Sequence, residues 1–184
     1  METLQGRALV ASPYLSDPNF MRTVVYILRH DEEGAVGLIV NRPMNQTVGE
    51  LIGELTETEI SNGQPVYYGG PVDGPLMMLQ ACVGVIDNAQ VVYVASDQER
   101  ITDIVTNRDE SVSAFRVFDG YSGWGAGQLE QEMEEGGWLV WDILPEQVFG
   151  DPDELWHHAV REIGREILAG GIEGARIPKD PAIN

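Results

Sequence analysis

The residues best suited to chemistry lie in a glycine-rich stretch, Gly120-Tyr-Ser-Gly-Trp-Gly-Ala-Gly127, which follows a predicted strand. Ser122 stands at the nucleophile position of a Gly-x-Ser-x-Gly elbow, and Asp142 and the pair His157-His158 follow in the chain order of the α/β-hydrolases. Trp124 occupies the position at which that elbow needs its second glycine. We therefore favour a tight turn punctuated by glycines and keep a serine hydrolase as the alternative.

The same stretch could bind an anion, because glycines expose backbone N–H groups at the start of the helix predicted over 128–135. The glycine spacing differs from that of a dinucleotide-binding loop. Four carboxylates of the helix would also oppose an anion: Glu130, Glu132, Glu134 and Glu135. At helical spacing these carboxylates point in several directions, so we predict a solvated acidic face rather than a site for a divalent cation.

Histidine and cysteine do not form a recognisable metal site in this sequence. His157-His158 and Asp153 supply at most two ligands on one helix face, whereas structural zinc needs four and catalytic zinc three. An ion pair on the helix surface is the simpler interpretation. We predict that His30 is solvated in a polar turn and that Cys82 is a small buried hydrophobe. No metal and no cofactor are expected.

The chain is strongly acidic, with 11 Lys and Arg against 30 Asp and Glu side chains and a net charge of −19. Most of the excess lies in residues 43–184, which carry 7 basic and 25 acidic groups, a net charge of −18. Such a surface repels phosphate backbones, so we expect no direct binding of nucleic acid. The one lysine, Lys179, does not follow a glycine loop, which excludes a Walker-type phosphate site.

Three features of the sequence favour the cytoplasm. The segment Met1–Arg7 lacks the basic and apolar regions of a signal peptide. No apolar run exceeds six residues, which is too short to span a membrane. The single cysteine excludes an internal disulfide. We therefore predict a cytoplasmic protein without membrane contact.

Strand signals begin early in the chain. Ala8–Ser12, Thr23–Leu28 and Val36–Val40 are aliphatic or β-branched, and the last two are nearly continuous apolar runs, as in strands covered on both faces. The polar turn between them contains Gly34, which can adopt a positive φ, so Thr23–Val40 is predicted as a hairpin. Further predicted strands are Pro65–Tyr68, Leu76–Ala81, Val91–Ala95, Val112–Phe118 and Trp138–Ile143.

Three helices have start signals, with caps predicted at Thr47, Ser96 and Asp151. The third is predicted to end near Leu168, at Gly170-Gly171. The apolar faces predicted for these helices are Val48, Leu51, Ile52 and Leu55; Ile101, Ile104 and Val105; and Leu155, Trp156, Ala159, Val160, Ile163 and Ile167. Strands and helices alternate without a strict βαβ rhythm, which indicates a mixed α/β or α+β fold. We expect one domain over residues 1–184, with a tail from about residue 171.

Several motifs together resemble the bacterial AlgH/YqgE family, from about Arg7 to Leu168. They are Ser12–Phe20, His30 with Gly34, Gly37–Pro43, Tyr68–Val72, and Gly120–Glu130 with Trp138. Members of that family carry a histidine after the leucine of the following strand, whereas here Leu79 is followed by Gln80.

The resemblance implies an α+β fold in which a branched sheet curls into a pseudo-barrel with flanking helices. It also implies the family label of a transcriptional regulator, without an established activity, cofactor or catalytic residue. The motifs supply residues for one candidate surface: Asn41, Arg42, Gly69, Gly70, Pro71, Tyr121, Ser122, Trp124 and Gly125. The alternative is that these are turn and packing residues that the fold requires.

Two hypotheses about function follow. The first is a non-enzymatic cytoplasmic protein that regulates gene expression indirectly, through contact with a protein or a small molecule. The second is an enzyme, either a hydrolase using Ser122 or an unrecognised activity in a cleft near Asn41 and Trp124.

Overall fold

A computed structural model describes residues 3–83, 90–107 and 112–173. Within these ranges the chain forms ten strands and five helices. The strands are β1 (Ala8–Ala11), β2 (Val24–Asp31), β3 (Gly34–Ile39), β4 (Pro43–Thr47), β5 (Pro65–Tyr68), β6 (Met77–Val83), β7 (Gln90–Ala95), β8 (Val112–Asp119), β9 (Ser122–Gly125) and β10 (Trp138–Trp141). The helices are α1 (Val48–Thr56), α2 (Gln98–Asn107), α3 (Gln128–Glu134), α4 (Pro145–Val148) and α5 (Pro152–Glu173).

The first sheet has the strand order β10-β1-β2-β3-β9, and every neighbouring pair is antiparallel. Its middle strands are buried on both faces. Ala8 and Val10 of β1 face one apolar cluster, whereas Leu9 and Ala11 face another. This explains why β2 and β3 read as nearly continuous apolar runs, and the predicted hairpin is confirmed, with Gly34 at φ +130°.

The second sheet has the order β4-β5-β8-β6-β7, in which β5 and β8 are parallel and the other pairs antiparallel. The two sheets meet at Gly69. Its carbonyl accepts the N–H of Ile39 at 2.9 Å, and its own N–H donates to the backbone carbonyl of Asp119 at 2.8 Å. A Cβ at this position would lie 2.2 Å from the carbonyl oxygen of Gly120, so the junction requires glycine. The predicted α+β class with flanking helices is confirmed.

The helices mostly begin where their caps predict. Thr47 caps α1 with a complete capping box, and the carboxylate of Asp151 accepts the N–H of Asp153 at the start of α5. The predicted cap of α2 is wrong by one residue, because the carboxylate of Asp97, rather than Ser96, accepts the N–H of Arg100.

The predicted helix faces are buried at most positions, half-buried at Leu51 and Val160, and exposed at two positions. Leu55 is 48% exposed and Ile167 is 66% exposed. Both lie beyond the last buried side chain of their helices, Ile52 and Ile163, where the helix continues past the core that it covers. Helix α5 also runs to Glu173, through the glycines at which we predicted its end, because glycine permits a left-handed cap without imposing one.

Two strands and one helix were not predicted. The stretch predicted as a tight turn contains β9, in which the side chains of Ser122 and Trp124 are buried and Gly123 and Gly125 are exposed. Strand β4 is a short edge strand that begins with Pro43, and it carries no apolar alternation. The single turn of α4 lacks the length for a periodic signal.

A buried arginine joins several of these elements. The guanidinium of Arg116 donates to the carbonyls of Val40 and Val148 at 2.6 Å and also to Gly150. It lies 4.5 Å from the ring centroid of Tyr67. Burial lowers the pKa of Arg116, an effect opposed by Tyr67 and Asp151.

Candidate functional site

A cleft of about 530 Å³ opens beside β9, between the loop that follows β1 and helix α3. The loop is Ser12–Thr23, hereafter the covering loop. The residues that line the cleft are Ser12, Tyr14, Leu15, Ser16, Asp17, Asn19, Phe20, Pro71, Gly123, Trp124, Gln128, Glu132, Glu135, Gly136, Gly137 and Trp138. We call it the acidic aromatic cleft.

Three aromatic rings form its inner wall. Phe20 lies 6.0 Å from Trp124 in a stacked arrangement and 5.4 Å from Trp138 edge to face. The two indoles contact each other edge to face at 5.8 Å. Trp124 and Trp138 are buried, whereas Phe20 is half-buried and covers them from the loop side. The wall is therefore apolar and its geometry is fixed by ring packing.

The carboxylate of Glu132 is oriented by both indoles. Its Oε2 accepts the Nε1–H of Trp124 at 2.9 Å and that of Trp138 at 2.8 Å. Its Oε1 accepts the side-chain amide of Gln128 at 2.9 Å. A carboxylate offers about four acceptor positions, so these three donors leave one position on Oε1 for a ligand. The predicted solvated face is thus wrong for Glu132, which is half-buried.

Among the residues that the structure describes, all of the charged side chains that line the cleft are acidic. They are Asp17, Glu132 and Glu135, and none of the described lining residues is Lys, Arg or His. Because low-dielectric walls focus the potential of the charges that they carry, the cleft attracts cations and repels anions.

Asn41 and Arg42 hold the covering loop from behind and do not line the cleft. The amide oxygen of Asn41 accepts the N–H of Val24 at 2.8 Å, and its amide nitrogen donates to the carbonyl of Arg22 at 3.0 Å. The guanidinium of Arg42 donates to the carbonyl of Asn19 at 2.6 Å and to that of Met21 at 3.2 Å. These two residues therefore fix the loop that carries Phe20.

Two of the three glycines of the candidate surface, Gly69 and Gly70, lie in close backbone packing, whereas Gly125 is exposed. Gly70 has φ +150°, and a Cβ there would lie 2.3 Å from the carbonyl carbon of Tyr121. Tyr121 and Val72 form an antiparallel bridge, in which the backbone N–H of each donates to the carbonyl of the other at 3.0 Å. Of the predicted surface residues, Pro71 and Trp124 line the cleft.

The backbone of the glycine-rich stretch is not arranged as the anion-binding interpretation requires. The N–H of Gly125 donates to the side-chain oxygen of Gln128 at 3.1 Å, so a side chain of the protein already occupies this donor. Gly127, at φ +73°, precedes a helix of seven residues whose first turn carries Glu130.

Ser122 is not placed as a nucleophile. It lies within β9 rather than on a turn, it has no exposed surface, and its Oγ donates to the carbonyl of Gly69 at 3.1 Å. Its predicted partners bond elsewhere: Asp142 pairs with Arg7 at 2.5 Å, and His158 contacts Gln147 and Glu162 at 3.4 Å. The hydrolase interpretation is therefore wrong in its geometry.

Two further predictions for the histidines were wrong. The ion pair on α5 joins His158 to Glu162, rather than His157 to Asp153. His30 is buried rather than solvated, because its Nδ1 accepts the N–H of Leu4 at 3.1 Å and its Nε2 bonds to Glu130 at 2.9 Å. Hydrogen bonds from its own backbone N–H and from His30 lower the pKa of Glu130.

A second cleft of about 530 Å³ lies between α2 and β8. Its lining consists of Ser61, Asn62, Gly63, Gln64, Ile104, Val105, Val112, Ser113, Ala114 and Phe115. These residues carry no charge and no aromatic pair, so this cleft has less chemistry with which to select a ligand.

Strand β6 carries Gln80 and Cys82, both of which the sequence analysis discusses. Gln80 is 4% exposed, and its Oε1 has no hydrogen-bond partner in the described part of the chain. Cys82 is half-buried rather than buried.

Among the residues described, no group of three or more His, Cys, Asp or Glu side chains is arranged to hold a metal ion.

The covering loop, Glu132 and Glu135 were missed as site residues. The loop did have a sequence signal, because Ser12–Phe20 is one of the motifs that carry the family resemblance. Glu132 lies four residues after Gln128 and between two tryptophan-bearing segments, which does not by itself reveal the shared hydrogen bonds.

Within the described ranges, none of the helices combines the length and the apolar character needed to cross a membrane.

The AlgH-like family model matches residues 8–168. UPF0301 protein CT0663 of Chlorobaculum tepidum is 40% identical over 167 residues, which cover 88% of this chain and 87% of that protein. UPF0301 protein SCO2948 of Streptomyces coelicolor is 35% identical, covering 100% and 97%.

Solved structures agree with this assignment. The solution structure of AlgH from Pseudomonas aeruginosa matches with a TM-score of 0.72 and 26% identity, over 97% of this chain and 96% of that one. The crystal structure of DIP2367 from Corynebacterium diphtheriae matches with a TM-score of 0.69 and 26% identity, over 88% of each chain. The fold, the motifs and these matches lead to one conclusion: the chain belongs to the AlgH-like family.

Proposed function

We propose that this protein is a cytoplasmic, non-enzymatic regulator that binds a small molecule in the acidic aromatic cleft and affects gene expression without binding DNA. The observation that carries the proposal is the carboxylate of Glu132, which two indole N–H groups orient at 2.9 and 2.8 Å beside an aromatic wall. A volume of about 530 Å³ lies in the range of small-molecule sites. Few convergent polar groups on an apolar wall are typical of ligand-binding clefts.

The lining of the cleft supports binding more than catalysis. Its hydroxyl groups come from Ser12, Tyr14 and Ser16, and no histidine lies among the lining residues to activate them. The Oγ of Ser12 accepts the N–H of Tyr14 at 3.2 Å. Nucleophilic catalysis needs a base within hydrogen-bond reach of the nucleophile, and this set of residues does not offer the Ser–His pair of a hydrolase.

The charge distribution supports an indirect role in regulation. Helix α1 carries no basic residue, and Asp151–Leu168 carries Arg161 and Arg165 against five acidic residues. A DNA-reading helix presents Arg or Lys to phosphates and base edges. With a net charge of −19, an approach to the duplex also meets repulsion.

Equilibrium dialysis against a small-molecule extract of the source bacterium tests the proposal. We expect mass spectrometry to detect a compound enriched by the wild-type protein and by Glu134→Lys, but not by Glu135→Lys. The two variants are matched, because both change an exposed carboxylate near the end of α3 and only Glu135 lines the cleft. Enrichment that is equal in both variants, or a catalytic conversion of the compound, would contradict the proposal.

A further inference from the structure

We infer that the ligand of the acidic aromatic cleft is a small organic cation, an ammonium or guanidinium group on an apolar or aromatic stem. This inference rests on the proposed function and adds the chemical class of the ligand. The cationic group would donate to Oε1 of Glu132, and the stem would lie along Phe20 and the edges of the two indoles.

The first argument is the sign of the charge. Three carboxylates line the cleft, from Asp17, Glu132 and Glu135. Arg42, which holds the covering loop, is committed to the carbonyls of Asn19 and Met21 and lies outside the lining. A carboxylate or phosphate ligand would therefore enter without a cationic partner, at a considerable cost in desolvation.

The second argument is the hydrogen-bonding capacity of Glu132. The indoles and Gln128 supply three donors, and among the described residues no further hydrogen bond to Oε1 is formed. The position can accept one more N–H or O–H. Because the carboxylate is charged and half-buried, an N⁺–H donor gives a hydrogen bond roughly twice as strong as a neutral one.

The third argument is the aromatic content of the cleft and its mouth. Phe20, Trp124 and Trp138 provide an apolar wall against which a stem can pack. Tyr14 lines the mouth and is 94% exposed, so its ring face is available to a cation. Aromatic faces attract ammonium and guanidinium groups, and anions gain nothing from them.

Isothermal titration with three probes of similar size and different charge tests the inference. The probes are 2-phenylethylammonium, 2-phenylethanol and 3-phenylpropionate, all at low ionic strength. We expect the cation to bind roughly tenfold or more tightly than the alcohol, as one charge-assisted hydrogen bond provides. We expect the carboxylate to bind more weakly than the alcohol, and added salt to weaken the cation alone.

Glu132→Gln and Glu134→Gln serve as the matched variants. We expect Glu132→Gln to lose the preference for the cation over the alcohol, and Glu134→Gln to keep it, because Glu134 is exposed and outside the cleft. The salt dependence is measured on the wild-type protein, so the inference remains testable if Glu132→Gln does not fold.

The outcomes separate this inference from the proposed function. Equal binding of the alcohol and the cation, or tighter binding of the carboxylate, would overturn the cationic ligand and leave the cleft as a small-molecule site. Failure of all three probes to bind would also overturn it, and the dialysis experiment then decides whether the cleft binds a different compound. A preference for the cation that persists in Glu132→Gln would refute the role given to that carboxylate.

Discussion

The Nε2–H of His30 donates to Oε1 of Glu130 at 2.9 Å and so joins the β2–β3 hairpin to the first turn of α3. The tautomer follows from the other ring nitrogen, because Nδ1 accepts the N–H of Leu4 and cannot itself carry a proton there. The backbone N–H of Glu130 and, second to it, this bond from His30 lower the pKa of the carboxylate. One buried imidazole thereby holds the N-terminal segment and helix α3 on the same hairpin.

We predict that Glu130→Gln destabilises the protein at neutral pH and has less effect in acid. Because the pKa of Glu130 is lower in the folded state, its contribution is complete above the ordinary value of about 4.5 and is lost as the pH falls through the lowered one. The side chain is 38% exposed, so screening keeps the effect below about 1 kcal/mol. Urea unfolding of both proteins at several pH values measures it, and a difference that does not depend on pH would refute it.

We predict that Ser122→Ala lowers the free energy of unfolding by about 0.5–1.5 kcal/mol. The lost hydroxyl leaves the carbonyl of Gly69 with its bond from Ile39, so no buried group is orphaned. Any ester hydrolysis by the purified protein should stay at the background rate in both forms. A saturable esterase activity that disappears in this variant would restore the hydrolase interpretation.

Two isoleucines of α5 form a matched pair for core packing. Ile163 is 7% exposed and Ile167 is 66% exposed. We predict that Ile163→Ala destabilises by about 2–5 kcal/mol, because it leaves a cavity. Ile167→Ala should change stability by less than about 0.5 kcal/mol. Equal shifts in the two urea midpoints would contradict the placement of this helix.

The sequence predicted the strands and helices whose signals are local. Apolar runs located β2 and β3, and the capping box at Thr47 located the start of α1. It could not predict β9, because Ser-Gly-Trp-Gly carries glycines typical of turns, and only pairing with β3 makes the segment a strand. The burial of His30 was missed for the same reason, since its partners lie 26 and 100 residues away in the chain.

Two of the candidate surface residues named from the sequence, Pro71 and Trp124, line the cleft. The sequence did not show what the other candidate residues do. Asn41 and Arg42 support it through the covering loop, a function that depends on backbone carbonyls and leaves no pattern in the side chains. The sequence did not single out Glu132 from its acidic run, because helical periodicity alone does not show which carboxylate accepts an indole N–H.

Two glycines have opposite surroundings: the backbone of Tyr121 lies close to Gly70, whereas the space beside Gly164 is open. Gly70→Ala places a Cβ 2.3 Å from Tyr121 at a φ of +150°, so we predict a loss of about 3 kcal/mol or more. Gly164 lies inside α5, and a Cβ added there would meet nothing within 4 Å, so Gly164→Ala should stabilise by about 0.5–1 kcal/mol. Thermal unfolding compares the two, and a tolerated alanine at Gly70 would contradict the close approach of Tyr121.

The most direct measurement of the central claim is the response of the four indole N–H resonances to 2-phenylethylammonium, recorded by heteronuclear NMR. Trp124 and Trp138 donate to Glu132 in the cleft, whereas Trp141 donates to Glu162 and Trp156 to the carbonyl of Ala11. We predict that the signals of Trp124 and Trp138 shift in a saturable way while the other two stay in place. If the Trp124 and Trp138 signals do not move, or if those of Trp141 and Trp156 move instead, the acidic aromatic cleft is not the binding site.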